Sequence, residues 1–240
     1  MEGKVKNSYE EVFKALSKQK GVEIKPEDLF EVGLDQIIRI DDTKIREGWD
    51  QLIENVKSSS KENVFVRSHG RNGSGSNTLL QLLKAVFGRS FCSDPSNNSK
   101  PKSILKNAFK NIVYQDYQIS HIFEERTNNP LLFGAPWMIC YTPKIIDPFT
   151  GHESQGFPEF RKKFVKWAFN KNKEYIDEYN DLIINDYWPK LKSEFDNTHY
   201  DEKFSTHMIA ALAPIVLDYE LQSRNDRIKN YKKMFDDIII

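Results

Sequence analysis

His121, Asn128, Asn129, Asp147 and His152 follow one another within YQISHIFEERTNNPLLFGAPWMICYTPKIIDPFTGHE, residues 117–153. An imidazole can take a proton from water, and amide and carboxylate oxygens suit a hard divalent cation. Those are the parts that hydrolysis of a phosphodiester requires: a base that activates water, and a cation that stabilises charge on the phosphate and the leaving oxygen. The chemistry works only if the fold holds the groups within a few ångström of one another.

The local pattern supplies elements that could do this. Tyr117-Gln118-Ile119-Ser120-His121 alternates as a strand should, which places His121 at the strand end. Phe133 through Cys140 can return as a second strand after a polar loop. Thr142-Pro143-Lys144 then opens a short helix with proline in its first turn. Taken singly, each residue has an ordinary structural role. A strand-end histidine is commonly a surface or hydrogen-bonded residue, Asn-Asn-Pro is a turn sequence, and Met138 is core if the hairpin is only structural.

Together, these residues give a stretch that resembles the HNH, or ββα-metal, nucleases, and the wider sequence resembles an HNH-type restriction endonuclease of bacterial origin. The resemblance covers about forty residues. It implies an α+β fold, a mainly helical chain around a central ββα-metal hairpin and helix at about residues 115–155. It further implies that His121 is the general base, that Asn128 or Asn129 braces the loop as part of the catalytic set, and that Asp147 or His152 is the ligand of Mg²⁺ or Mn²⁺. Two positions depart from the family pattern. Ser120 stands where many members carry a metal-binding Asp, and Met138, 17 residues after His121, stands where the family usually has Asn. A thioether is a poor partner for a hard cation.

Basic residues around this stretch suggest how a polyanion could be held. Arg161, Lys162, Lys163, Lys166, Lys171 and Lys173 crowd a predicted helix that begins near Pro158, and its aromatic positions can pack inward. Arg126 in the loop and Lys100, Lys102 and Lys106 upstream add to the track. Arg67, His69 and Arg71 flank the glycine-rich RNGSGSN, a setting that suits a DNA phosphate oxygen. As a nucleotide-binding P-loop this segment is deficient, because Ser76 and Asn77 stand where Lys and Ser/Thr are needed.

The frame around these motifs is largely helical. Helices are predicted from about Ser8 to Lys18, from Asp41 or Asp42 through Val56, over Leu79 to Phe87, from about Lys102 to Asn111, and again from Pro158 onward with a break at Trp188-Pro189. Val64-Phe65-Val66 is a short strand, and SDPSNNSKP an irregular connector. The polar Ser58 to Asn63 segment is the one tempting boundary, giving a helical N-terminal region over 1–60 and a nuclease region over 61–240, or a single domain overall.

Composition sets outer limits. The 240 residues carry 35 Lys+Arg against 35 Asp+Glu, so a nucleic-acid partner must be met by a local basic surface. Cys92 and Cys140 form no CxxC pair, which argues against a disulfide framework and a cysteine zinc site. No apolar run approaches the roughly 18 residues that span a bilayer, and the N-terminus lacks a signal core, so a cytoplasmic protein with no membrane role is expected. The expectation is a sequence-specific, Mg²⁺-dependent endonuclease acting on double-stranded DNA, working as a homodimer because cutting both strands of a palindrome calls for two sites related by a twofold axis. The alternatives are a non-catalytic DNA-binding protein on a decayed HNH scaffold and a nucleotide-binding enzyme using Gly70 to Gly75.

Overall fold

The computed structural model describes residues 8–58, 62–67, 76–96, 98–110, 112–123, 126–150 and 157–238. The chain is mixed α/β and mostly helical. Three helices lead: α1 (Ser8–Lys20), α2 (Pro26–Asp35) and α3 (Asp42–Lys57). In α3 the apolar residues recur at helical spacing, so Ile45, Trp49, Leu52 and Val56 share one buried face, and the Asp41 carboxylate caps the start by accepting from the Thr43 N–H at 3.0 Å.

Strand β1 (Phe65–Val66) and strand β2 (Cys92–Ser93) pair in parallel, with Phe65 opposite Cys92 and Val66 opposite Ser93. Helix α4 (Ser76–Phe87) forms the crossover between them. Gly88 stops α4 with φ +74°, a conformation that glycine adopts without steric cost. Helix α5 (Ser99–Ala108) starts earlier than expected and shortens the connector. The cause is Asp94, whose carboxylate accepts from the main-chain N–H of Ser96, Ser99 and Lys100 at 3.0, 3.1 and 2.6 Å and so satisfies the first turn.

A second pair of strands follows. Strand β3 (Tyr117–His121) and strand β4 (Ile139–Pro143) are antiparallel, with His121 opposite Ile139 and Tyr117 opposite Pro143. Ile38 bridges the outer side of β4 at Tyr141. The first strand lies where the alternation put it, but the second begins six residues later than Phe133. The run Leu131 to Trp137 forms buried turns that end in a 3₁₀ turn at Pro136–Met138. Short bonds close these turns: Leu132 and Phe133 N–H donate to the Asn129 carbonyl, Ala135 N–H to that of Leu132, and Met138 N–H to that of Ala135. A continuous apolar run cannot be told from a buried strand by periodicity. The next helix is also late: Thr142 and Pro143 still belong to β4, and α6 (Asp147–Thr150) is a single turn.

The rest is helical: α7 (Pro158–Lys171), α8 (Lys173–Leu182), α9 (Trp188–Asn197), α10 (Glu202–Ala211), α11 (Leu217–Glu220) and α12 (Arg224–Asp236). The predicted break at Trp188-Pro189 takes the form of a π-helical turn at Ile183–Tyr187 that joins α8 to α9. Proline has no N–H and its ring crowds the preceding turn, and a widened turn accommodates both. One buried cluster runs from Phe30 in α2 to Phe235 in α12, so α2 and α3 share a core with residues of α4, β4, α7, α8, α9 and α12.

Helix α3 also sets the position of the turn that leads into β4. Trp49 meets Trp137 edge-on at 5.6 Å between ring centroids, and a Cβ added at Gly48 would lie 2.7 Å from Pro136 Cγ. Alanine in place of a mid-helix glycine ordinarily gains about 1 kcal/mol. At this position the proline ring cannot yield, and overpacking costs about 1–3 kcal/mol. Gly48→Ala is therefore expected to lower the thermal midpoint by a few degrees, measured by calorimetry.

Candidate functional site

The site forms where the end of β3 meets the start of α6. Ser120 and His121 are successive strand residues and project to opposite faces. Ser120 Oγ donates to Asp147 Oδ1 at 2.6 Å, which ties the strand to the first residue of α6. The Asp147 main-chain carbonyl accepts from Thr150 Oγ1 at 2.8 Å and steadies that single turn.

His121 lies on the other face, stacked on Phe133 with ring centroids 5.6 Å apart and planes 13° apart. Its Nε2 is enclosed and, among the described residues, has no hydrogen-bond partner. Burial pushes the imidazole pKa down to about 4, the Phe133 main chain opposes this, and the Arg67 charge lowers it while Asp94 raises it. A contact that favours the protonated ring is one in which the ring donates. At neutral pH burial keeps His121 an uncharged imidazole.

The asparagines brace the loop that returns to β4. Asn129 is fully buried; its Nδ2 donates to Tyr179 Oη at 2.8 Å and the Ala211 carbonyl at 3.1 Å, and its Oδ1 accepts from Leu131 N–H at 2.9 Å. Both of its donors and its side-chain oxygen serve the fold. Asn128 Nδ2 donates to the Arg67 carbonyl at 2.9 Å, and its Oδ1 contacts His207 Nε2 at 2.9 Å. Met138, at the position where an asparagine was expected, is fully buried.

The expected basic track is divided. Arg67 is exposed. Arg126 is buried and cannot reach a phosphate: its guanidinium donates to the carbonyls of Ala213 and Pro214, to Glu220 Oε1 at 2.6 Å and to Tyr231 Oη at 2.8 Å. A polar neighbourhood in sequence made Arg126 read as surface, whereas its partners come from far along the chain. In α7, Arg161 donates to the Glu220 carbonyl at 2.8 Å and Lys163 pairs with Glu31 at 3.0 Å, while Lys162 and Lys166 are exposed. His69, Arg71 and His152 lie outside the described residues, as does most of the glycine-rich segment.

Sequence reasoning missed His207. It sits in α10 with no motif around it, and its link to Asn128 spans 79 positions, so no local signal could have pointed to it.

The family described as "Uncharacterised protein PM1201" matches residues 40–239. The chain belongs to the PM1201 family. A curated member from Pasteurella multocida (strain Pm70), "Uncharacterized protein PM1201", is 38% identical over 180 residues, covering 72% of this chain and 80% of the relative. No solved structure matches. The span matched by the PM1201 family contains α3 through α12, and with them Arg67, His121, Asp147 and His207. Among the described residues, no group of three or more His, Cys, Asp or Glu is placed to hold a metal ion, and no helix is long and apolar enough to cross a membrane.

Proposed function

We propose that the chain is a divalent-cation-dependent endonuclease that hydrolyses phosphodiesters in double-stranded DNA, of the HNH restriction type, and that it acts as a homodimer. One observation carries the reading: Ser120 and Asp147 meet at 2.6 Å where β3 abuts α6, and the adjacent strand residue is a histidine that burial keeps uncharged. The order β3, β4, α6 supports the reading, with Asp147 and Ser120 on one face of β3 and His121 on the other.

The donors present fit a hard cation. Mg²⁺ takes one or two carboxylates and keeps several waters, and the Asp147 carboxylate, steadied by the Ser120 hydroxyl, is one such ligand. Mg²⁺ or Mn²⁺ held there would supply charge stabilisation at the phosphate. The protein's own groups do the rest. In this reading His121, held by stacking on Phe133, accepts the proton of the attacking water, and Arg67 presents a cation to a non-bridging oxygen. Lys162 and Lys166 lie free to meet the DNA backbone.

The second reading, a non-catalytic DNA-binding protein on a decayed scaffold, draws on the buried Met138 and the enclosure of His121 Nε2. Incubating the pure protein with mixed-sequence duplex DNA and Mg²⁺, then adding chelator, separates the two. Discrete fragments that cease on chelation support the nuclease, and retention of DNA without cutting supports the decayed scaffold.

The position of the cation ligand has its own test. Met138 is enclosed by core, so Met138→Asn is expected to bury an unsatisfied amide at about 1–3 kcal/mol, lowering the thermal midpoint without raising the rate. Asp147→Ala is expected to remove cleavage. Faster cutting by Met138→Asn, with Asp147→Ala tolerated, would move the ligand to position 138.

A further inference from the structure

Arg67 closes the β1 segment with its side chain exposed, yet its main chain is held on both sides. Its N–H donates to the Thr127 carbonyl at 3.0 Å, and its carbonyl accepts from Asn128 Nδ2 at 2.9 Å. Asn128 is only 5% exposed, so its amide is locked in one orientation. Because Nδ2 gives to a carbonyl, Oδ1 is the acceptor on the other side, and the 2.9 Å contact with His207 Nε2 is one in which the imidazole donates. Helix α10 thus reaches β1 through two hydrogen bonds and one asparagine. The Arg67 charge is among those that lower the His121 pKa. An exposed cation on a main chain held by two hydrogen bonds can meet charge that develops on a phosphate.

We propose that His207 is a positioning residue of this site: acting through Asn128, it fixes the Arg67 main chain so that the guanidinium meets the scissile phosphate beside His121. The inference rests on the nuclease reading. A misplacement of about 1 Å at a reacting centre can cost on the order of 10²-fold in rate. A residue that merely props the loop would lower stability and leave that placement unchanged.

The test is cleavage of plasmid DNA in Mg²⁺ by wild type, His207→Ala, His207→Phe, His207→Gln, Arg67→Ala and the Arg67→Ala/His207→Ala double variant, with the thermal midpoint of each. His207→Ala should lower kcat by about 10- to 100-fold with a smaller change in KM. His207→Gln, which can still donate to Asn128 Oδ1, should recover most of that loss. In the Arg67→Ala background, removing His207 should change nothing further, since nothing remains to be positioned. His207→Phe keeps a ring in the helix without the donor and gives the same reading should the alanine variant fail to fold. Wild-type rates in His207→Ala or His207→Phe, or losses that add to that of Arg67→Ala, would overturn the inference and leave the nuclease reading intact. A wild-type protein that cuts no DNA would overturn both.

Discussion

Replacing His121 by alanine is expected to reduce DNA cleavage by about 10²- to 10⁴-fold while leaving DNA affinity nearly unchanged. The imidazole acts on water in the transition state, so its loss appears in kcat and not in binding. The alanine variant also loses the stacking on Phe133, so its thermal midpoint is measured beside its rate, and the rate is compared below that midpoint. The pH dependence carries a second signature. With the free ring held down to about 4, the acid limb of kcat/KM, which reports the free enzyme, lies near that value. A phosphate anion beside the ring favours its protonated form, so the acid limb of kcat, which reports the complex, shifts to higher pH. Undiminished cutting by His121→Ala, or acid limbs that coincide, would remove His121 from the mechanism.

Glu220→Ala is expected to destabilise the fold by about 3–5 kcal/mol, measured by urea unfolding, because it leaves buried cations without their counter-charge. Glu220 is only 3% exposed; its Oε1 accepts from Arg126 at 2.6 Å and Tyr231 at 2.9 Å, and its Oε2 accepts from Arg227 at 3.0 Å. Removing the carboxylate strands two guanidinium groups in the interior, and a domain has only about 5–15 kcal/mol in total to lose. Burial alone would raise the Glu220 pKa, but Arg126 and Arg227 outweigh it and hold the carboxyl below its usual range. A folded-state pKa below the unfolded value means that this stability is fully present above about pH 4.5 and is lost as pH falls through the folded value. His121 acts in the same direction at slightly higher pH. Its folded pKa of about 4 lies below the unfolded value of about 6.5, so stability falls as pH drops between the two. The wild type should therefore unfold readily in acid, and Glu220→Gln should lose most of its own share of that dependence. Acid stability unchanged in Glu220→Gln would show that the carboxylate titrates alike in both states.

The same residues separate what sequence pattern determines from what requires the fold. Helical spacing in Ile45, Trp49, Leu52 and Val56, the Asp41 cap and the Gly88 stop are local features, and α3 and α4 follow from them. The alternation in Tyr117 to His121 likewise put β3 and its terminal histidine in place, since a period of two is a property of neighbouring residues alone. Where a run is apolar throughout, as in Leu131 to Trp137, periodicity carries no information, and only burial on all sides turned it into a chain of turns. Arg126 shows the same limit for charge: its partners Glu220 and Tyr231 lie 94 and 105 positions away, and nothing beside it in sequence tells a buried guanidinium from an exposed one. Sequence by itself determined α3, α4 and α7, the first strand and the candidacy of His121 and Asp147. Tertiary structure alone decided that Ser120 meets Asp147, that Met138 faces the core, that Arg126 braces α10 to α12, and that His207 meets Asn128. Each of those contacts joins residues that only long-range packing can bring within hydrogen-bonding or van der Waals distance, and the free energy that holds them comes from burial shared across the whole chain.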